Sequence, residues 1–201
     1  MCSSSPYIYK GVIWQVINCE GGICSKIMNR IIEQVFVSLS YYSKVLAIRL
    51  DFHCNTNTAT NTHISDYFKQ LKSKLHRRYQ CAIGYVWVRE QSELGTTPHY
   101  HTAVLLNGHR VCHPKKIVEL IQTDTKANPF LHFSLPKNSF YLITREDSQL
   151  IQALIYRLSY LAKNDTKKNR SSQTNRFQVS RNKPHEPKYC AVLGDHYVNS
   201  I

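Results

Sequence analysis

The sequence predicts an α+β fold: one central, mainly antiparallel sheet with helices covering a face. Three observations predict it. Apolar runs of strand length occupy residues 45–53, 82–90 and 100–107, each bounded by turn-forming or polar residues. Residues 25–40, 64–79 and 147–163 instead repeat apolar side chains at three- and four-residue intervals, the period of a helix. Strands and helices interleave along 201 residues that are 42% hydrophobic, enough apolar material for one domain with a real core.

Taken in order, residues 7–17 alternate loosely and read as a strand that ends at the Glu20-Gly21-Gly22 turn. Ile27, Ile31, Ile32, Val35, Phe36 and Leu39 mark the first helix. The strand at 45–53 is followed by an Asn- and Thr-rich loop over 54–63. The next helix, 64–79, sets Tyr67, Phe68, Leu71 and Leu75 on one stripe and Lys69, Lys72, Lys74, Arg77 and Arg78 on the other. The strands at 82–90 and 100–107 are joined through 91–98 in hairpin fashion. A helix over 114–122, a short strand over 139–144 and a helix over 147–163 complete the set. After Lys163 the composition turns polar and basic. Residues 1–163 are therefore expected to form one domain with its core at about 40–163, and residues 164–201 an extension lying on or near the site.

Lys and Arg total 26 against 13 acidic residues, a net charge of +13, which favours a polyanionic partner. No apolar run approaches the roughly 18–20 residues that span a bilayer, so no membrane partner is expected. The opening residues 1–6 lack the basic-then-apolar layout of a secretory leader, and a cytoplasmic location is expected. Seven scattered cysteines without a CxxC pair read as reduced thiols.

The chemistry concentrates at Pro98-His99-Tyr100-His101. Alternate residues of a strand face the same side, so His99 and His101 project together, as two ligands of one metal ion must. Glu90 ends the neighbouring strand, and pairing around the connection brings its carboxylate within reach; Glu93 competes for that role. Two imidazoles and a carboxylate leave coordination positions open and suit Mn²⁺ or Mg²⁺. On the last helix Tyr156 and Tyr160 share a face, and Lys163 joins it. A phenol is a poor nucleophile at neutral pH, and a neighbouring ammonium plus a metal that neutralises the attacked phosphate both help it. These residues suggest a metal-dependent enzyme that cuts DNA through a tyrosine.

His99-Tyr100-His101 followed by Tyr160-Leu161-Ala162-Lys163 resembles the HUH endonucleases of the rolling-circle initiator type, nearest to the inovirus replication-protein-like family, also met as the YagK/YfjJ C-terminal domain. Arg49-Leu50-Asp51-Phe52-His53 resembles that family's first motif, and residues 175–181 have its look after the tyrosine helix, so the likeness covers roughly residues 40–181. The resemblance implies a mostly antiparallel five-stranded sheet with the HUH strand in its middle. It implies Mn²⁺ or Mg²⁺ on His99, His101 and Glu90, and nicking of single-stranded or hairpin origin DNA through a 5′-phosphotyrosine. Tyr160 fits the Y-x-x-K form best, with Tyr156 a second candidate nucleophile and Lys163 a catalytic partner. Arg49, Asp51, His53, Lys167, Lys168, Arg176 and Arg181 are expected to position the site or bind DNA. Host helicase and DNA polymerase would be recruited partners. Two rival expectations stand beside it: a non-catalytic origin-binding or regulatory DNA-binding protein of the same descent, and a single-strand transposase or plasmid relaxase.

Overall fold

A computed structural model describes residues 3–90, 97–164 and 175–185. Its elements run β1 (Ser4–Tyr9), β2 (Val12–Ile17), α1 (Ser25–Tyr41), β3 (Lys44–Cys54), α2 (Thr62–Tyr79), β4 (Gly84–Glu90) and β5 (His99–Asn107). They continue with α3 (Lys115–Lys126), β6 (Leu131–Ser134), β7 (Phe140–Thr144), α4 (Ser148–Ser159), a 3₁₀ turn at Tyr160–Ala162, and β8 (Phe177–Val179). The α+β class holds.

The central sheet is antiparallel, in the order β6-β3-β5-β4-β8, with β7 also paired to β3. It is five lanes wide but six strands in number, because β6 and β7 share the lane beside β3. β6 faces Asp51–Cys54 and β7 faces Lys44–Ile48. β5, the HUH strand, occupies the middle lane.

Sheet residues alternate between two distinct cores. On one face Val45, Ala47, Val86, Val88, Ala103 and Leu105 pack under α1 and α4. On the other Leu46, Ile48, Leu50, Phe52, Trp87, Tyr100, Val104 and Leu106 pack against α2 and α3. Burying Leu154, Ile155 and Leu158 of α4 on the first face contributes about 1.5–3 kcal/mol each.

Two expectations are corrected by these elements, and a third is filled in. Residues 7–17 are not one strand: the chain reverses at Lys10 (φ 48°) and Gly11 (φ 82°), the pair of positive φ values a tight two-residue hairpin demands. The last helix stops at Ser159 and tightens into a 3₁₀ turn at Tyr160, so Lys163 lies just beyond it. The polar segment after Lys163 contains a strand, β8, which pairs with Val86–Val88 along the outer edge of β4. Its continuation is anchored too: Ser180 N–H donates to Tyr85 O at 2.8 Å, and Asn182 Nδ2 donates to Ile83 O at 3.0 Å. No helix among the described residues is long and apolar enough to cross a membrane.

Candidate active site

Strand register assembles the site. One rung crosses four strands as His132 (β6), His53 (β3), His99 (β5) and Glu90 (β4). The next rung carries Ser134, Asp51, His101, Val88 and Phe177. The third pairs Arg49 with Ala103. These rungs continue the face that packs under α1 and α4, at the strand ends where apolar cover gives out.

His101 is held on both sides. Its Nδ1 lies 2.9 Å from Asp51 Oδ1, and its Nε2 hydrogen-bonds Glu90 Oε2. Burial disfavours the imidazolium, but the hydrogen bonds and charges of Asp51 and Glu90 outweigh it and raise the His101 pKa. For Asp51 burial acts upward, and the hydrogen bond and charge of His101, with Arg49 and His53, more than offset it and hold the carboxyl low. Burial and the neighbouring His99 push His53 down; its ring meets that of His99 edge-on, with centroids 4.2 Å apart. His53 Nε2 also lies 3.3 Å from Ser134 Oγ.

Tyr160 enters this group from the 3₁₀ turn that follows α4. Its ring is edge-on to His101 at 5.2 Å between centroids. The Arg49 guanidinium lies over the same ring at 4.4 Å, and Lys163 Nζ at 5.1 Å. Arg49 is only 6% exposed and sits 3.7 Å from Asp51 Oδ1, so it joins Tyr160 to the His101 clamp rather than lying on an open surface.

The backbone around Tyr160 is fixed from both sides. The fully buried Ser159 Oγ accepts from Ile17 N–H at 2.9 Å and donates to Tyr156 O at 2.7 Å, tying the N-terminal hairpin to the tyrosine helix. Gln152 does the same one helical stretch earlier, exchanging two hydrogen bonds with the Gln15 backbone. Past the tyrosine, Cys24 N–H donates to Ala162 O at 2.8 Å, and Asn164 N–H to Gly22 O at 3.1 Å. Gly22 holds φ +68°, a conformation that glycine adopts without a Cβ penalty.

By type, the donors are ones that a divalent ion accepts. Two imidazoles and a carboxylate share a face, and Asp51 on Nδ1 orients His101 so that Nε2 turns toward Glu90, the arrangement by which a carboxylate fixes a ligating imidazole. Among the described residues, no three His, Cys, Asp or Glu side chains already surround a common cation position.

The other anticipated residues divide. Tyr156 is half-buried, one turn before Tyr160 on α4. Arg176 precedes β8, where its carbonyl accepts from Arg89 N–H at 2.8 Å, and Arg181 is exposed just past that strand. Lys167, Lys168 and Glu93 lie outside the described residues. The basic stripe of α2 belongs to the opposite face, where Lys74 pairs with Asp124 at 2.7 Å.

Sequence reasoning missed His132 and Ser159. His132 carries no pattern signal, because the four-residue β6 is too short to show alternation. Ser159 stands out only as a small polar residue inside an apolar helix stripe. Buried Arg89 was missed as well. Its guanidinium donates to Thr60 O at 3.0 Å and to Asn61 Oδ1 at 3.1 Å, and so pins the 58–61 loop on the far face. All five described cysteines are free thiols.

No curated protein and no solved structure matches the chain significantly. The family model of the YagK/YfjJ C-terminal domain does, over residues 13–180, which span the hairpin's second strand, the whole central sheet, the tyrosine helix and β8. The chain belongs to the YagK/YfjJ C-terminal domain family.

Proposed function

We propose that this protein is an HUH-type endonuclease that nicks and rejoins single-stranded or hairpin DNA and so initiates rolling-circle replication of a phage or mobile element. The observation that carries the reading is the meeting of Tyr160 with His101 at 5.2 Å, beside Arg49 and Lys163 and one rung from His99 and Glu90. A tyrosine buried for packing alone needs neither two cations on its ring nor an imidazole clamped by two carboxylates. The net charge of +13 suits a phosphate-rich substrate.

In the proposed step the Tyr160 hydroxyl oxygen attacks the scissile phosphorus. A Tyr–O–P bond forms and the P–O3′ bond breaks. The phenolic proton is released and a proton ends on the departing 3′ oxygen, leaving a 5′-phosphotyrosine and a free 3′-OH. A Mn²⁺ or Mg²⁺ ion held by His99, His101 and Glu90 supplies charge neutralisation at the phosphate when bound. Arg49 and Lys163 hold two positive charges over the Tyr160 ring, beside the position where the attacked phosphate would carry its negative charge, and cost no reorganisation because both already lie there. Asp51 keeps the His101 ring in one orientation. Attack by a later 3′-OH on the phosphotyrosine reverses the link and closes the strand. The 3′-OH primes a host polymerase, and a host helicase is the matching partner in the cytoplasm.

The test is a covalent adduct. The full chain is incubated with Mn²⁺ and a labelled random-sequence single-stranded DNA pool, then run on a denaturing gel. The expected result is a shifted, protease-sensitive band that Tyr160→Phe and His99→Ala both abolish. An adduct surviving both substitutions overturns the mechanism. No adduct from a folded protein that still binds the pool establishes instead the non-catalytic DNA-binding reading.

A further inference from the structure

Beside the site, at the outer edge of β6, lies a cleft of about 620 Å³ that none of the roles above uses. It opens between that strand and the last turn of α3, and its walls include Gln122, Lys126, Asn128, His132, Phe133 and Leu135. We infer that this cleft binds one unpaired nucleobase of the strand being cut and sets the sequence preference next to the nick. The inference rests on the nickase reading for its biological meaning.

Position is the first argument. His132 lines the cleft and also stands on the rung His132–His53–His99–Glu90. Ser134 lines it too, and its Oγ touches His53 Nε2 at 3.3 Å. His132 and His99 are two strand spacings apart, about 10 Å. A single strand covers that distance in about three stacked nucleotides at 3.4 Å each, or fewer when drawn out. Because α3 packs on the other face, the strand must also round the edge at β6, so a base in the cleft belongs to a nucleotide about three or slightly more from the reacting phosphate.

Chemistry is the second argument. The volume lies within the roughly 300–1,000 Å³ of small-molecule sites, room for a base with its sugar. Phe133 and the 45%-exposed Leu135 offer apolar contact to a base face. Gln122, exposed at the cleft wall, carries a carboxamide that both donates and accepts and so reads base edges, while Asn128, whose Oδ1 accepts from Phe130 N–H at 2.9 Å, adds its Nδ2 donor. The carbonyl end of α3 is the partially negative end of the helix dipole. That polarity disfavours a phosphate inside the cleft and favours a donor, such as the exocyclic amine of adenine or cytosine. Lys126, exposed on the last turn, is placed to take the phosphate of the same nucleotide outside the cleft.

The experiment is fluorescence anisotropy of the full chain with 5′-labelled deoxyadenylate, deoxycytidylate and thymidylate homopolymers of equal length, at one fixed salt concentration and without metal. The wild type is expected to bind an amino-bearing homopolymer about tenfold tighter than thymidylate, the scale of one good bidentate base contact. Gln122→Ala with Asn128→Ala removes the edge readers, and Leu135→Trp fills the mouth. Each is expected to bring the ratio below about twofold, with the larger loss falling on the amino-bearing homopolymer. Thermal melts confirm that the variants fold, since all but the half-buried Asn128 are exposed positions. Equal binding of all homopolymers by the wild type, or a ratio unchanged in folded variants, overturns the inference. Because binding is read without cleavage, a base preference that depends on the cleft in a protein that forms no adduct refutes the nickase reading alone. Adduct formation with a flat preference refutes the cleft alone.

Discussion

Replacing Asp51 tests whether the clamp on His101 serves a metal ion. Asp51 Oδ1 takes a 2.9 Å hydrogen bond from His101 Nδ1 and lies 3.7 Å from Arg49 Nη2. A hydrogen bond to a charged group contributes about 1.5–3 kcal/mol, and a neutral one about 0.5–1.5 kcal/mol. Asp51→Asn keeps an acceptor oxygen and loses the charge, a difference of about 1–1.5 kcal/mol, or roughly 5–10-fold in Mn²⁺ affinity. Asp51→Ala frees the ring altogether, and about 10–100-fold is expected, the range found for carboxylates behind ligating histidines. Both variants weaken folding, because the nearly buried Arg49 loses a counter-charge. At about 2–4 °C per kcal/mol in a chain of this size, a fall of a few degrees in Tm is expected. Calorimetric titration of Mn²⁺ into the full chain without DNA reads the affinity directly, with Tm as the folding control. If both variants stay folded and bind Mn²⁺ as the wild type does, Asp51 does not orient a metal ligand and the clamp is merely structural.

Other substitutions separate position from chemistry. Tyr160→Phe keeps the ring under Arg49 and beside His101, so Tm is expected within about 1 °C of wild type while adduct formation is lost; Tyr156→Phe is expected to retain the adduct, and the denaturing gel distinguishes the two. Ser159→Ala leaves the half-buried Ile17 N–H without its acceptor, which costs about 1–2 kcal/mol, and a fall of roughly 2–8 °C by calorimetry is expected. Truncation after Asn164 strips β8 from β4 and bares the edge at Val86–Val88, so the shortened chain is expected to aggregate in light scattering where the full chain does not.

The elements most legible in the sequence are those with a strong period. Helices α1 and α2 and strands β3, β4 and β5 can be read to within a few residues because each buries a continuous stripe or run. The hairpin is hidden because Lys10-Gly11 is a weaker turn signal than Asn-Gly, and the alternation continues on either side of it. β6 and β8, with four and three residues, are stabilised by partners far along the chain and leave no local pattern. Within the site, His99, His101, Glu90 and Tyr160 were legible because strand and helix periods place them on defined faces. The burial of Arg49 against Tyr160 was not, since an arginine on a strand end reads as exposed unless the partner ring is known. Nor was the row that adds His132 to His53, which depends on a pairing of β3 with a strand the sequence hides.

Register is what makes these residues a site, and the core enforces it. β3 and β5 are covered on both faces, so simple inside-outside alternation cannot fix their pairing. The two cores differ in shape instead. Toward α2 and α3 the strands present Phe52, Trp87 and Tyr100, with Trp87 and Tyr100 packed edge-to-face at 5.6 Å. Toward α1 they present the small Ala47 and Ala103, which leave room for helices laid close to the sheet. A one-residue slip of β5 would drive Tyr100 and Leu106 under α1 and turn His99 and His101 into the aromatic core. That exchange overpacks one face and buries imidazoles without Asp51 or Glu90 as partners, each a cost of about 1–3 kcal/mol or more. The apolar rungs therefore select the one register in which His53, His99 and Glu90 align. The polar rungs, lying at the strand ends beyond the apolar cover of that face, set His101 and Arg49 against Tyr160.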